Sequence, residues 1–192
     1  MAHLLLTYPH DEDHMEGKPF RNLMDFVEAI SPAQWTLVPD SSDQFTSDQG
    51  WQFPQDAARL KPIVEQLNAW GVRVRLFMDP TPEAMTEVAA LGAQRVELYT
   101  ETYASAYGTA MQSVVTEQFV QTAKAALRAG MQVNAGHDLN LVNLAHFLQQ
   151  LPQVVEVSIG HALIGDALEM GYHATVKAYL ASIEQAKPGR VQ

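Results

Sequence analysis

MQVNAGHDL, residues 131–139, reads as a buried strand that stops at Ala135-Gly136 and presents His137 and Asp138 just ahead of a helix. Residues 154–165, VVEVSIGHALIG, repeat the arrangement with Gly160 and His161. Two strands that each end in Gly-His and each run into a helix predict a site at the carboxyl ends of parallel strands, where α/β proteins hold their chemistry.

Working outward, the same unit recurs. Residues 57–67 carry Ala57, Leu60, Ile63, Val64 and Leu67 on one helical face, Gly71 ends the helix, and VRVRLFM (72–78) is the next strand. Arg73 and Arg75 alternate with Val72, Val74 and Leu76 and so share a face. A helix over 83–91, a strand over 95–100 (RVELYT), a long Tyr-rich loop over 101–113 and a helix over 116–129 lead into the opening stretch. A helix over 141–151, a strand over 154–159 and one long helix over 166–187 follow it. Upstream, 21–30 suits a helix and WTLV (35–38) a buried strand, with a polar segment over 40–53. Residues 1–20 are irregular, with a short strand over 3–8 and a strand end or loop at 15–17 as options. The repeated strand, loop, helix order requires parallel strands joined by right-handed crossovers. The expected fold is α/β, one TIM-type (β/α) barrel domain over 1–192 that lacks one or two N-terminal strand-helix units, because a full barrel takes roughly 200 to 250 residues.

Composition narrows the function. Twenty-two acidic against 12 basic side chains give a net charge of -10, which opposes nucleic-acid or anionic-membrane binding. The absence of cysteine excludes disulfides, thiolate catalysis and Cys-ligated metals. No apolar run approaches the roughly 20 residues of a membrane span, so a cytoplasmic enzyme or binding domain is expected. His10 and His14 flank Asp11-Glu12-Asp13, but nothing marks a helix there, and no metal is expected.

The strand ends read together resemble one family, the pyridoxine 5'-phosphate synthases of deoxyxylulose-dependent vitamin B6 biosynthesis. The carrying segments are MEGKPF (15–20), TLVPD (36–40), TSD (46–48), RLFMD (75–79), VELYT (96–100), VNAGHDL (133–139) and VSIGHALIG (157–165). The resemblance implies a TIM-type barrel that joins 1-deoxy-D-xylulose 5-phosphate to 3-amino-2-oxopropyl phosphate, using no metal or organic cofactor. It implies catalytic roles for Glu16, His137 and Glu97, a substrate contact at Thr46, and a phosphate-binding end formed by Asp138, Gly160 and His161. It also implies a homo-oligomer. The family's Asn-x-Asp-His stretch is absent, Tyr8 and His10 would stand at its His-x-Arg pair, and Glu101 replaces a glycine. The alternative is a non-catalytic shortened relative that binds a phosphate compound or serves in an assembly.

Read by residue type alone, Glu16 is a solvated turn residue and Thr46 a loop hydroxyl. His137, placed after Ala-Gly at a strand end, points to function unaided. Glu97 faces either the barrel interior or a helix; a buried carboxylate needs a partner, and Arg73 and Arg75 are the candidates. Tyr99, Tyr103 and Tyr107 suggest a lid or a subunit contact. His146 and His173 read as helix-surface residues.

Overall fold

In the computed structural model the described residues are 4–5, 14–19, 21–39 and 47–186. Thr46, Tyr8 and His10 fall outside them. Among the described residues seven strands form one sheet in the order β1-β7-β6-β5-β4-β3-β2. They are β1 (Leu4–Leu5), β2 (His14–Gly17), β3 (Gln34–Leu37), β4 (Arg73–Met78), β5 (Arg95–Tyr99), β6 (Gln132–Gly136) and β7 (Val154–Ile159). Strands β2 to β7 are mutually parallel, as the alternation requires. β1 departs from it by pairing antiparallel to β7, Leu4 opposite Ile159.

Among the described residues eight α-helices connect or follow them: α1 (Arg21–Ile30), α2 (Ala57–Ala69), α3 (Met85–Ala90), α4 (Glu101–Ala106), α5 (Gln112–Arg128), α6 (Leu144–Gln150), α7 (His161–Met170) and α8 (Tyr172–Ala186). Two expectations change. The Tyr-rich stretch after β5 is largely helical, because Glu101 opens α4, where an acidic residue suits the positive end of the helix. The single long C-terminal helix is two, broken at Gly171, whose φ of +80° no helix accommodates.

The strands sort their side chains by parity. Trp35, Leu37, Val74, Leu76, Met78, Val96, Leu98, Val133, Ala135, Val157 and Ile159 join one apolar layer with the helices, including Leu60, Val64 and Leu67 of α2. The alternate positions carry Thr36, Arg75, Glu97, Asn134 and Glu156, all buried. Adjacent strands hold these in rows: Thr36 beside Arg75, then Glu97, Asn134 and Glu156 side by side. The α/β barrel expected to lack one or two units takes the form, among the described residues, of a curled half-barrel of six parallel strands, with β2 and β1 at opposite ends of the order. Its concave face is charged, where a barrel interior is ordinarily filled by branched apolar residues.

Candidate active site

The carboxyl ends of β5, β6 and β7 open into a cleft of about 260 Å³. Ser47, Tyr99, Glu101, Asn140 and Ser158 line it with four residues singled out in the sequence: His137, Asp138, Gly160 and His161. Glu97 lies beneath it, fully buried, with Oε1 3.9 Å from His137 Nδ1.

The backbone at the end of β6 is built for this. Gly136 brings the chain so close to Glu97 that a Cβ there would lie 2.1 Å from Oε1. His137 and Asp138 both adopt left-handed conformations, φ +68° and +49°, which non-glycine residues take only where surrounding structure holds them. The holding contacts are visible. The Thr100 hydroxyl donates to the Gly136 carbonyl at 3.0 Å and also to that of His137, and the Asn143 amide donates to the Asp138 carbonyl at 3.2 Å. Phe77 and Tyr99 pack on the imidazole, with ring centroids 4.6 and 5.5 Å away. Burial first, then Asp138, Glu101, Asp48 and Asp79, push the Tyr99 phenol up to about 12, so it stays protonated at neutral pH.

Beneath the cleft runs an ion network. Arg75 places Nη2 2.9 Å from Glu97 Oε2 and donates through Nη1 to Glu156 (2.5 Å) and through Nε to Thr36 (2.5 Å). Arg95 donates to the second oxygen of Glu156 at 2.9 Å, and His14 lies 3.6 Å from the first. Burial alone would raise the Glu156 pKa, but His14 and Arg75 outweigh it and hold it at about 2. Of the two candidate partners for Glu97, Arg75 is the one that pairs with it, while Arg73 donates to Gln34 at 2.8 Å. Glu156, Arg95 and Ser158 escaped the sequence reading. Their signal was phase: Glu156 and Ser158 alternate with Val157 and Ile159, so they face the same interior as Glu97.

Other expectations fare differently. Glu16 is half-buried in β2, in register with Thr36, and does not line the cleft. Tyr103 is no lid: it is fully buried, donates to the Asn143 carbonyl at 2.9 Å and packs against Phe119 and Phe147. His146 is half-buried rather than on the surface, bonded to the Tyr103 hydroxyl and to Gln112. His173 is exposed, as expected. Among the described residues no three His, Asp or Glu side chains are grouped to hold a metal ion.

A curled parallel α/β sheet, with a histidine over a buried carboxylate and a helix beginning at the strand ends, defines an enzyme-like site of the (β/α)-barrel class. Residues 3–185 match the family described as pyridoxal phosphate biosynthesis protein PdxJ. A pyridoxine 5'-phosphate synthase of Albidiferax ferrireducens is 55% identical over 192 residues, covering 97% of this chain and 76% of that protein. One from Xanthomonas campestris pv. campestris is 45% identical over 186 residues, covering 93% and 73%. The chain belongs to this family of vitamin B6 biosynthesis enzymes. Among solved structures, the Amycolatopsis orientalis BexX/CysO complex is similar at TM-score 0.55 and 16% identity, covering 88% of this chain and 63% of that one. A mutant tryptophan synthase alpha-subunit from Pyrococcus furiosus is similar at 0.52 and 15%, covering 86% and 59%. At such identities these two speak to the fold alone.

Proposed function

We propose that this chain is a pyridoxine 5'-phosphate synthase, condensing 1-deoxy-D-xylulose 5-phosphate with 3-amino-2-oxopropyl phosphate and releasing pyridoxine 5'-phosphate, inorganic phosphate and water. The observation that carries it is the placement of His137 over Glu97 in one cleft with Gly160 and His161. The ring-forming sequence needs an amine to condense with a ketone and several waters to leave, so protons move repeatedly between carbon, nitrogen and oxygen. An imidazole serves that traffic near neutral pH. His137 is the proton-transfer residue and Glu97 orients it from below. Glu16 is a further acid/base group, brought to bear from the far arm of the sheet, and Thr46 contacts the deoxyxylulose phosphate. Asp138, Gly160 and His161 form the phosphate end: Gly160 caps α7, whose first N–H groups have no partner within the helix and favour an anion. That backbone solution suits a chain of net charge -10, which offers no general basic field.

The alternative, a non-catalytic relative, gains no support from a cleft that keeps histidine, carboxylate and helix start together. The chain acts as one domain, its sheet forming part of a TIM-type barrel, and uses no metal or organic cofactor. Among the described residues no helix is long and apolar enough to cross a membrane; its place of work, on this reading, is the cytoplasm. The chain assembles with copies of itself.

The test is incubation of the purified chain with both phosphorylated substrates, reading pyridoxine 5'-phosphate by mass spectrometry. Product is expected, with His137→Ala lowering its rate by about 100-fold or more, the ordinary scale of general acid-base catalysis. A folded chain that makes no product overturns the proposal.

A further inference from the structure

Each nitrogen of the Arg75 guanidinium is committed: Nε to Thr36, Nη1 to Glu156 and Nη2 to Glu97. Arg75 is 1% exposed, and Arg95 holds the far oxygen of Glu156. A planar fork fastened at three points cannot swing, so it holds Glu97 Oε2 in one place. With Oε2 so held, Oε1 is turned onto the backbone of Gly136 and toward His137 Nδ1. Nδ1 itself is buried while the ring lines the cleft, so a substrate meets the opposite edge of the imidazole.

A neutral imidazole carries one N–H, and a carboxylate near one nitrogen favours the proton there. We propose that Arg75 is a positioning residue for this reaction: by holding Glu97 Oε2 it aims Oε1 at His137 Nδ1 and keeps the imidazole proton on Nδ1, so that Nε2 carries the lone pair that takes a proton from substrate. The inference rests on the reading of His137 as the proton-transfer group and extends it by naming the tautomer and the residue that sets it. Gly136 supports it independently, since only a glycine leaves space for the carboxylate in that orientation. A salt bridge serving stability alone would place no such demand on the residue next to the histidine.

Arg75→Lys keeps the charge and loses the fork, since one ammonium cannot reproduce three fixed contacts. It is expected to lower kcat by about 10- to 100-fold, the usual cost of losing an orienting partner, with KM changing by less than about 2-fold. Nitrogen-15 shifts of the His137 ring, assigned against His137→Asn, should show Nδ1–H in the parent and a mixture of tautomers in the variant. In a Glu97→Gln background Arg75→Lys should cost nothing further in kcat, because the carboxylate it aims is gone. Should Arg75→Lys not fold, Arg75→Gln combined with Glu156→Gln removes one buried charge of each sign, and the same two readings apply. A parent protonated on Nε2, or a folded variant with unchanged tautomer and kcat, overturns the inference. If the tautomer shifts as expected but His137→Ala keeps full activity, control of the ring stands and the catalytic reading of His137 falls.

Discussion

Gly136 shows how much of this site is decided by a single missing side chain. A Cβ there would lie 2.1 Å from Glu97 Oε1 and 3.1 Å from Ser158 Cβ, and neither neighbour is the free end of an exposed chain. Gly136→Ala must therefore displace the carboxylate from its place under His137. Overpacking of this kind costs about 1–3 kcal/mol, and the displaced carboxylate should also lower kcat. Denaturant melting beside steady-state kinetics checks both, and an alanine variant as stable and active as the parent would refute the packing argument. Asp138 argues the opposite way. Its φ of +49° is imposed on a residue that disfavours it, so Asp138→Gly should stabilise the fold by about 1 kcal/mol. It should raise KM as well if Asp138 serves the phosphate end. Thermal melting together with the substrate dependence of the rate reads out that trade.

At the scale of elements, the buried network ties β4 to β7 and, through His14, to β2 across the curl. Glu156 is its pH-sensitive member. Its folded pKa of about 2 lies below its ordinary 4.5, so its contribution is fully present above about pH 4.5 and is lost as pH falls through 2. The depression corresponds to about 3 kcal/mol. Glu156→Gln should accordingly flatten the fall of stability with acid between pH 4.5 and 2, measured by urea melts at successive pH values. A variant whose stability falls with acid as steeply as the parent's would show that Glu156 is not the group responsible. This network also marks where sequence reading ran out. Strands β3 to β7 and their helices were legible because period-2 and period-3.6 patterns with Gly71, Gly92 and Gly130 punctuate them. His137, Asp138, Gly160 and His161 were legible because each sits at a strand end. Glu156 was hidden inside an apolar strand, and its value arises from Arg75, 81 residues away in the chain. Contacts of that separation leave no local signal. The same limit explains α4 and the α7–α8 break: the first reads as a loop from its sequence, and one backbone angle decides the second.

On the whole molecule, self-association can be argued from surface and charge together. Helix α7 turns Ile164 and Leu168 outward on one face, i and i+4 apart, and Met170 and Tyr172, on either side of Gly171, are exposed as well. Leu168 is 86% exposed, and such a cluster is the kind of patch that marks an interface. Burying it between copies related by a two-fold axis would cover both faces at once. Opposing this, each chain carries a net charge of -10, whose repulsion reaches about 30 Å at 0.01 M salt but only about 8 Å at 0.15 M. Light scattering should therefore give a multiple of 21.2 kDa at physiological salt, with dissociation favoured as salt is removed. Leu168→Glu adds a further charge at the centre of the patch and should return the mass to that of one chain without lowering the melting temperature of the monomer. A parent that weighs 21.2 kDa at micromolar concentration and physiological salt, or a variant that stays assembled, would place the interface elsewhere or remove it. Because α7 begins at the cleft with His161 and presents Leu168 two turns later, an interface on this face would hold the proposed phosphate end of the site rigid. Loss of assembly in Leu168→Glu should then appear as a raised KM for the phosphorylated substrates, with kcat at saturation changed less.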